Sequence, residues 1–418
     1  MRVLLSDGSG LTARQCATQL AHLGHRVEVL SADPLALTRF TRHVRKLHRV
    51  PRFGDDPFVW LEAAMRVLDT PAPAGAVDVL LPTQEQVTVL AARGDELRDR
   101  GVGLAVPTFA ALARVQDKVS ATRTLAEVGV PQPSTVVAAD RAELLACDEF
   151  PAYVKPPIGT ATTGIVRVDD RGELVVHAAS LDGRAFELGG LVVQQAINGP
   201  LAMVQCVFDR GRLVAWHANL RIAEGSAGGA SHKRSVDLPD IRAHCATLGA
   251  ALTWHGALSL DVILPGGSAA GALVIDVNPR LVEPANAWRS GTDLVAAMVE
   301  LSRGAHPDAQ PSGREAVATH QLLLAVLRAA ATGRRAVLSE LHDALRRRGS
   351  YRDSVEELTP LAGDRRAAIP VAVAALAALA GPRVARALSS GTVRNYAISA
   401  EGWRALVEEH GGPFAGRD

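Results

Sequence analysis

The sequence predicts an α/β (α+β) protein with a doubly wound α/β domain first, a two-lobed middle and a mainly helical C-terminal extension. Three observations carry this. Residues 1–108 alternate short apolar strands, glycine turns and helices, as parallel βαβ units do. The middle holds two strand-and-loop stretches, 153–165, where a lysine ends a strand before a small-residue loop, and 274–280, where polar residues alternate with apolar ones. The end shows helical apolar spacing and an alanine-rich run at 367–380. The expected boundaries are 1–108, 109–190, 191–304 and 305–418.

Composition narrows the classes. The 418 residues are 48% hydrophobic but only 4% aromatic, so alanine, leucine and valine must build the core. A net charge of +1 gives no basis for nucleic-acid binding. Cys16, Cys147, Cys206 and Cys245 are scattered without metal spacing, which suits a reducing, cytoplasmic setting. Met1-Arg-Val-Leu-Leu runs straight into a strand with no signal-peptide pattern. Among 45 Lys+Arg, only Lys46, Lys118, Lys155 and Lys233 are lysines. Any one of them fits a surface role. Where arginine fills nearly every cationic position, a retained lysine also fits a use for its compact ammonium, such as binding phosphate.

In order, residues 1–6 read as a strand, 7–10 as an Asp-Gly-Ser-Gly turn, 11–23 as a helix and 24–30 as the next strand. Residues 77–82 and 102–107 give further strands, with a helix from about residue 84. Gly8 and Gly10 lack the third glycine of a dinucleotide fingerprint, where Ala13 stands instead. A nicotinamide-dependent oxidoreductase would rest on that turn alone. Residues 110–128 read as one helix carrying Asp117-Lys118, stopped by Gly129-Val-Pro-Gln-Pro133.

Residues 152–155 form a strand ending in Lys155, and Pro156-Pro157 stiffen its exit. Gly159 and Gly164 bracket Thr160-Ala-Thr-Thr163. Such a loop can bring backbone N–H groups and the Thr162 and Thr163 hydroxyls to an anion. The same residues fit a plain hairpin turn into a strand at 164–168. A helix near 174–181 precedes a strand and hinge over 191–199. Residues 201–209 and 213–220 read as an antiparallel pair. Residues 221–234, rich in glycine and carrying Arg221, Lys233 and Arg234, read as a solvated loop or as one closing over an anionic reacting centre. After a helix at 240–252, strands at 255–264 and 273–277 pair, so Asp261 and Asp276 come from neighbouring strands. Asp276, Asn278 and Arg280 alternate on one side. Two carboxylates and an amide there make an oxygen donor set suited to Mg²⁺. Glu283 and Asn286 follow in a loop open to a substrate role, and a helix at 292–302 closes the unit.

Together, Asp117-Lys118, the 152–165 strand and loop, and Asp276-Val-Asn-Pro-Arg280 resemble the ATP-grasp superfamily, over roughly residues 1–300. The Asn-Pro-Arg ending is similar to its carbamoyl-phosphate-synthase-like domains. The resemblance implies ATP and Mg²⁺ as cofactors, with Mn²⁺ as an alternative ion. It gives Lys118 and Lys155 to the phosphates, and Gly159, Thr162, Thr163 and Gly164 to a mobile phosphate lid. Gln194, Gln195, Ala196 and Ile197 would contact adenine, although the family often has glutamate where Gln194 stands and a second one near Pro200-Leu201. Asp261, Asp276 and Asn278 would hold metal, Asp276 being shorter than the more frequent glutamate. Arg280 would stabilise the transferred phosphoryl group, with Lys155, Arg221 and Lys233 as further candidate catalytic cations.

The implied activity is an ATP-dependent carboxylate–amine ligase that joins a small carboxylate and an amine through an acyl phosphate, releasing ADP and phosphate. Carboxyphosphate chemistry on bicarbonate is the alternative, though no duplicated half or glutaminase partner domain is seen. A catalytically silent ATP-binding regulator is a third reading, opposed by the presence of both lysines, both acids, Asn278 and Arg280. Residues 305–418 identify no chemistry. Segments 319–331 and 339–348 read as helices. The run 367–380 is apolar all round, at about 14 residues shorter than the ~20 of a membrane-spanning helix. A buried helix is expected there. A homodimer contact or shallow membrane association are the other roles it allows.

Overall fold

The computed structural model describes residues 1–70, 75–160, 163–360, 363–389 and 392–411. Four parallel strands open the fold: β1 (Arg2–Leu5), β2 (Arg26–Ser31), β3 (Val44–Arg49) and β4 (Val79–Leu81), in the spatial order β3-β2-β1-β4. β1 and β4 are buried at every residue, as parallel strands are when both faces are covered. The stretch expected as a strand at 102–107 is buried but meets the sheet only through a bridge between Val79 and Gly103. Its polar groups turn to another partner: Ala105 N–H donates to Ser302 Oγ at 3.2 Å. A side chain at Gly103 would collide with the Ser302 carbonyl.

The second sheet is antiparallel and holds β5 (Thr135–Ala138), β6 (Ala152–Lys155), β7 (Val166–Val168) and β8 (Leu191–Gln195), in the order β5-β8-β6-β7. The single helix expected before it is two, Phe109–Ala113 and Lys118–Glu127. The break comes at Asp117, whose backbone is extended and whose carboxylate accepts Ser120 N–H at 2.8 Å. That cap starts a new helix and sets Lys118 at its first position.

The third sheet is the largest. Its strands are β9 (Leu201–Asp209), β10 (Arg212–Glu224), β11 (Ala230–Ser235), β12 (Gly256–Ile263), β13 (Leu273–Asn278), β14 (Ala318–His320) and β15 (Ser354–Glu356). Their order is β13-β12-β9-β10-β11-β14-β15. Residues 221–234 are therefore not an open loop. β10 runs on to Glu224 and the chain returns as β11, with Arg221 opposite Lys233. The free edge of β11 takes β14, Lys233 lying opposite Thr319. This pairing converts the start of the helix expected at 319–331 into a strand; the helix itself spans Leu322–Ala329. The next helix is Arg334–Arg346, longer than the expected 339–348 at its start.

The alanine-rich run forms the helix Ala368–Ala380, but it is not enclosed. Ala374 and Ala378 are buried, whereas Ile369, Val373 and Leu376 are 46%, 45% and 68% exposed. Too few elements surround it to cover a helix that is apolar on every side. Among the described residues, no helix is long and apolar enough to cross a membrane. The helix Ala400–Glu409 turns back, and its Trp403 joins a core containing Phe53 and Trp60 of the N-terminal unit.

Candidate active site

β12 and β13 pair antiparallel with Asp261 directly opposite Asp276 and Ser259 opposite Asn278. Side chains opposite one another share a sheet face, so two carboxylates meet. Asn278 Nδ2 donates to Asp261 Oδ2 at 3.3 Å, and Arg280 Nη2 to Asn278 Oδ1 at 3.4 Å. Loss of solvation, then the charge of Asp276, pushes Asp261 up to about 6, against the pull of Arg280, Asn278 and Lys155. A raised carboxylate facing a second one is a site short of positive charge. Two carboxylates and an amide oxygen are the donors Mg²⁺ takes alongside phosphate oxygens, so these residues fit the ion.

Lys155 ends β6 and is 7% exposed. Its Nζ donates to Gln194 Oε1 at 2.7 Å and to the Ile275 carbonyl at 2.8 Å, both neutral acceptors. Burial, with help from the charge of Lys118, lowers its pKa; Asp276 and Asp261 oppose this. Lys118 donates to the Gly159 carbonyl at 2.9 Å, and its own N–H to the Pro157 carbonyl at 2.9 Å. The loop after β6 is thereby tied to the capped helix. Gly164 has φ +77°, a conformation other residues resist. Thr163 and Gly164 are exposed, whereas Thr162 lies outside the described residues. Thr160 donates its hydroxyl to Glu85, a contact across to the N-terminal unit.

A narrow cleft joins these parts, with Lys118, Lys155, Gln194 and Asp276 among its polar walls and Leu125 and Val192 among its apolar ones. The residues expected to contact adenine are bonded partly within the protein. Gln194 holds Lys155 and donates to Thr135 Oγ1 at 3.3 Å; Gln195 N–H and Ala196 N–H donate to the Ser134 and Pro151 carbonyls, each at 2.8 Å. Among the described residues, the Ile197 N–H has no hydrogen-bond partner.

The other cations stand differently. Arg221 Nη1 donates to the Gly228 carbonyl at 3.0 Å inside its own hairpin. Lys233 is 2% exposed and makes ion pairs to Glu283 and, at 2.7 Å, Glu357. Despite burial, those carboxylates raise its pKa. Glu283 sits at φ +40°, with Gln205 donating to its carbonyl at 3.1 Å and its own N–H donating to Thr12 Oγ1 at 3.1 Å. Asn286 is fully buried and bonded to His217 and Thr319, which makes it a packing residue. Glu357 and Gln321, which bond Lys233 or Glu283, went unnoticed in the sequence because β14 and β15 bring them in from far along the chain.

The ATP-grasp domain family matches residues 115–284. The structure resembles the biotin carboxylase domain of Hydrogenobacter thermophilus 2-oxoglutarate carboxylase, solved with MgADP, ADP and bicarbonate (TM-score 0.59, 17% identity, 76% of this chain and 73% of that one). It is also similar to Campylobacter jejuni biotin carboxylase (TM-score 0.58, 17% identity, 76% and 74%). A third likeness is N5-carboxyaminoimidazole ribonucleotide synthetase of Thermus thermophilus (TM-score 0.57, 18% identity, 77% and 82%).

Proposed function

From a chain whose residues 115–284 match the ATP-grasp domain family, we propose an ATP-dependent ligase that forms a carbon–nitrogen bond between a small carboxylate and an amine. The observation that carries this is the facing pair Asp261–Asp276 beside Lys155, a buried ammonium whose hydrogen-bond partners are all neutral. Lys118 and Lys155 bind and orient the phosphates of ATP. Asp261, Asp276 and Asn278 would hold Mg²⁺, or Mn²⁺ in its place, which supplies charge neutralisation to the phosphate oxygens. Arg280 faces the charge that develops on the moving phosphoryl group; one preorganised donor of this kind is worth about 100–1,000-fold in rate.

An oxygen of the substrate carboxylate attacks the γ-phosphorus and the bond to the ADP oxygen breaks. The product of that step is an acyl phosphate. The amine lone pair then adds to its carbonyl carbon, the carbon–oxygen bond breaks, phosphate leaves with the electron pair, and the amine gives up a proton. Positioning and electrostatics suffice for such phosphoryl transfer, in keeping with a site that uses no nucleophilic side chain.

The test is ADP release across a panel of amino acids and other carboxylic acids, with and without hydroxylamine, which traps an acyl phosphate as its hydroxamate. ADP and hydroxamate appearing together with one acid support the ligase. A second reading, activation of bicarbonate, draws on the bicarbonate bound by the Hydrogenobacter domain. ADP release with bicarbonate alone would favour it. Tight ATP binding without turnover on any acid would favour a regulator.

A further inference from the structure

The alanine-rich helix has a face that no described element covers. Ile369, Val373 and Leu376 follow one another by four and three residues, so they share one side of Ala368–Ala380. All three are exposed, and Ala380 extends the stripe. The opposite side is packed, with Ala378 in a core beside Val326 and Val337. Both ends of the exposed face are cationic. Arg365 and Arg366 precede Ile369 by four and three residues, and Arg383 follows the helix next to the exposed Val384. From Arg365 to Ala400 the sequence holds five arginines and no acidic residue.

The charge continues onto the N-terminal unit. Asp364, just before Arg365, is buried and accepts the Arg42 N–H at 3.3 Å and the Thr41 hydroxyl at 2.5 Å, besides pairing with Arg14. The Arg42 guanidinium lies against Gly363, where an added Cβ would come within 3.5 Å of it. Arg42 belongs to residues 34–54, which contain five arginines, Lys46 and no acidic residue. These six cations are exposed on or near β3, the outer strand of its sheet. Among the described residues, none of the six makes an ion pair, nor do Arg365, Arg366 and Arg383. Exposed arginines elsewhere do pair, as Arg66 does with Glu62, Arg98 with Asp95 and Arg394 with Asp55. In a chain of net charge +1, the excess is therefore local.

We propose that this face docks on an anionic lipid surface, with Ile369, Val373 and Leu376 among the acyl chains and the arginines at the headgroup phosphates. Apolar burial and attraction to anionic lipid act together in such an arrangement. At 13 residues the helix is too short to cross a bilayer, so the contact is with one leaflet. A second copy of the chain fits the face less well. In a two-fold contact, helix on helix in either direction, arginine ends would meet arginine ends.

The experiment is flotation of the full chain with vesicles of phosphatidylcholine alone, or of equal parts phosphatidylcholine and phosphatidylglycerol. The chain should float with the anionic vesicles at least about tenfold more strongly than with the neutral ones, and about 0.5 M NaCl should release it. Leu376→Gln, and Arg365→Gln combined with Arg366→Gln, should each weaken flotation at least about fivefold while the urea midpoint stays at the parent's. A label gives a signal that misfolding does not. All four native cysteines are free and buried, so in Leu376→Cys an environment-sensitive fluorophore goes to the new thiol. Its emission should shift to the blue on anionic vesicles and stay unchanged on neutral ones. No flotation with anionic vesicles, equal flotation with both kinds, or flotation unmoved by both variants would overturn the proposal. So would a parent that ignores vesicles but sediments as a dimer that Leu376→Gln splits, since the face would then belong to a second copy.

Discussion

Lys155 and Lys233 are both buried lysines on strands near one site, yet their surroundings are opposite. Lys155 has a glutamine oxygen and a backbone carbonyl, with no carboxylate in hydrogen-bond contact. Lys233 has two carboxylates. Burial wins at the first and lowers its pKa; the paired charges win at the second and raise it. A buried ammonium without an anion keeps most of its field available to a ligand, whereas one matched twice over has spent it on the fold. Burial and residue type are shared, so the partners decide the role.

The largest expected effect separates them. Lys233→Met should leave Glu283 and Glu357 uncompensated and cost about 3–5 kcal/mol of stability, read as a lower urea midpoint. Adding Glu283→Gln and Glu357→Gln should recover most of it; a Lys233→Met protein that stays fully stable but loses turnover would return Lys233 to catalysis. Lys155→Met should instead keep the fold and lower kcat/KM for ATP by at least about 100-fold. Equal damage to stability and turnover at both positions would erase the distinction.

Asp276→Asn comes next. Its expected loss in Mg²⁺-dependent ATP affinity is about 10–100-fold, the loss usual even for residues that only support metal ligands. Relief of the repulsion with Asp261 should meanwhile hold or raise the melting temperature without metal. Glu28 tests the spent type of pair elsewhere. Burial would raise its carboxylate, but hydrogen bonds from Arg2 at 2.9 Å and His48 at 2.7 Å hold it down at about 2. Its contribution is therefore present above the ordinary value of 4.5 and fades as pH falls from there towards 2. Glu28→Gln should be less stable than the parent at pH 7 and converge with it in acid; urea midpoints across pH would show a constant gap if the pair is idle. The smallest change is Leu376→Gln on the exposed face of Ala368–Ala380, expected within about 0.5 kcal/mol of the parent by thermal unfolding.

What the sequence made legible was local. The pairing of β12 with β13, and hence the facing aspartates, followed from a short turn between two alternating strands. Lys155 at a strand end and Gly164 in its turn were equally local. The misread parts depend on distant partners. Residues 221–234 look like a loop because glycine and serine offer little to pack, and they become strand because β14 supplies the other half of the ladder. Asp117 was read as part of a helix because no glycine or proline interrupts residues 110–128, while its carboxylate was free to cap. The neighbouring of β1 and β4, which are far apart in the chain, showed only in the sheet order.

The contacts that Asp364, Asn395 and Ile398 make with the N-terminal unit have a consequence for how the molecule is made. Asn395 bonds Ser9 across 386 residues, Ile398 bonds Glu85 across 313, and Asp364 pairs with Arg14 across 350. Chain closure over such distances is slow compared with the local pairing that builds the other sheets. During synthesis, Arg14 is made long before its counter-charge Asp364. The residues of the middle sheets are thus translated before Asp364, Asn395 and Ile398, which complete these contacts.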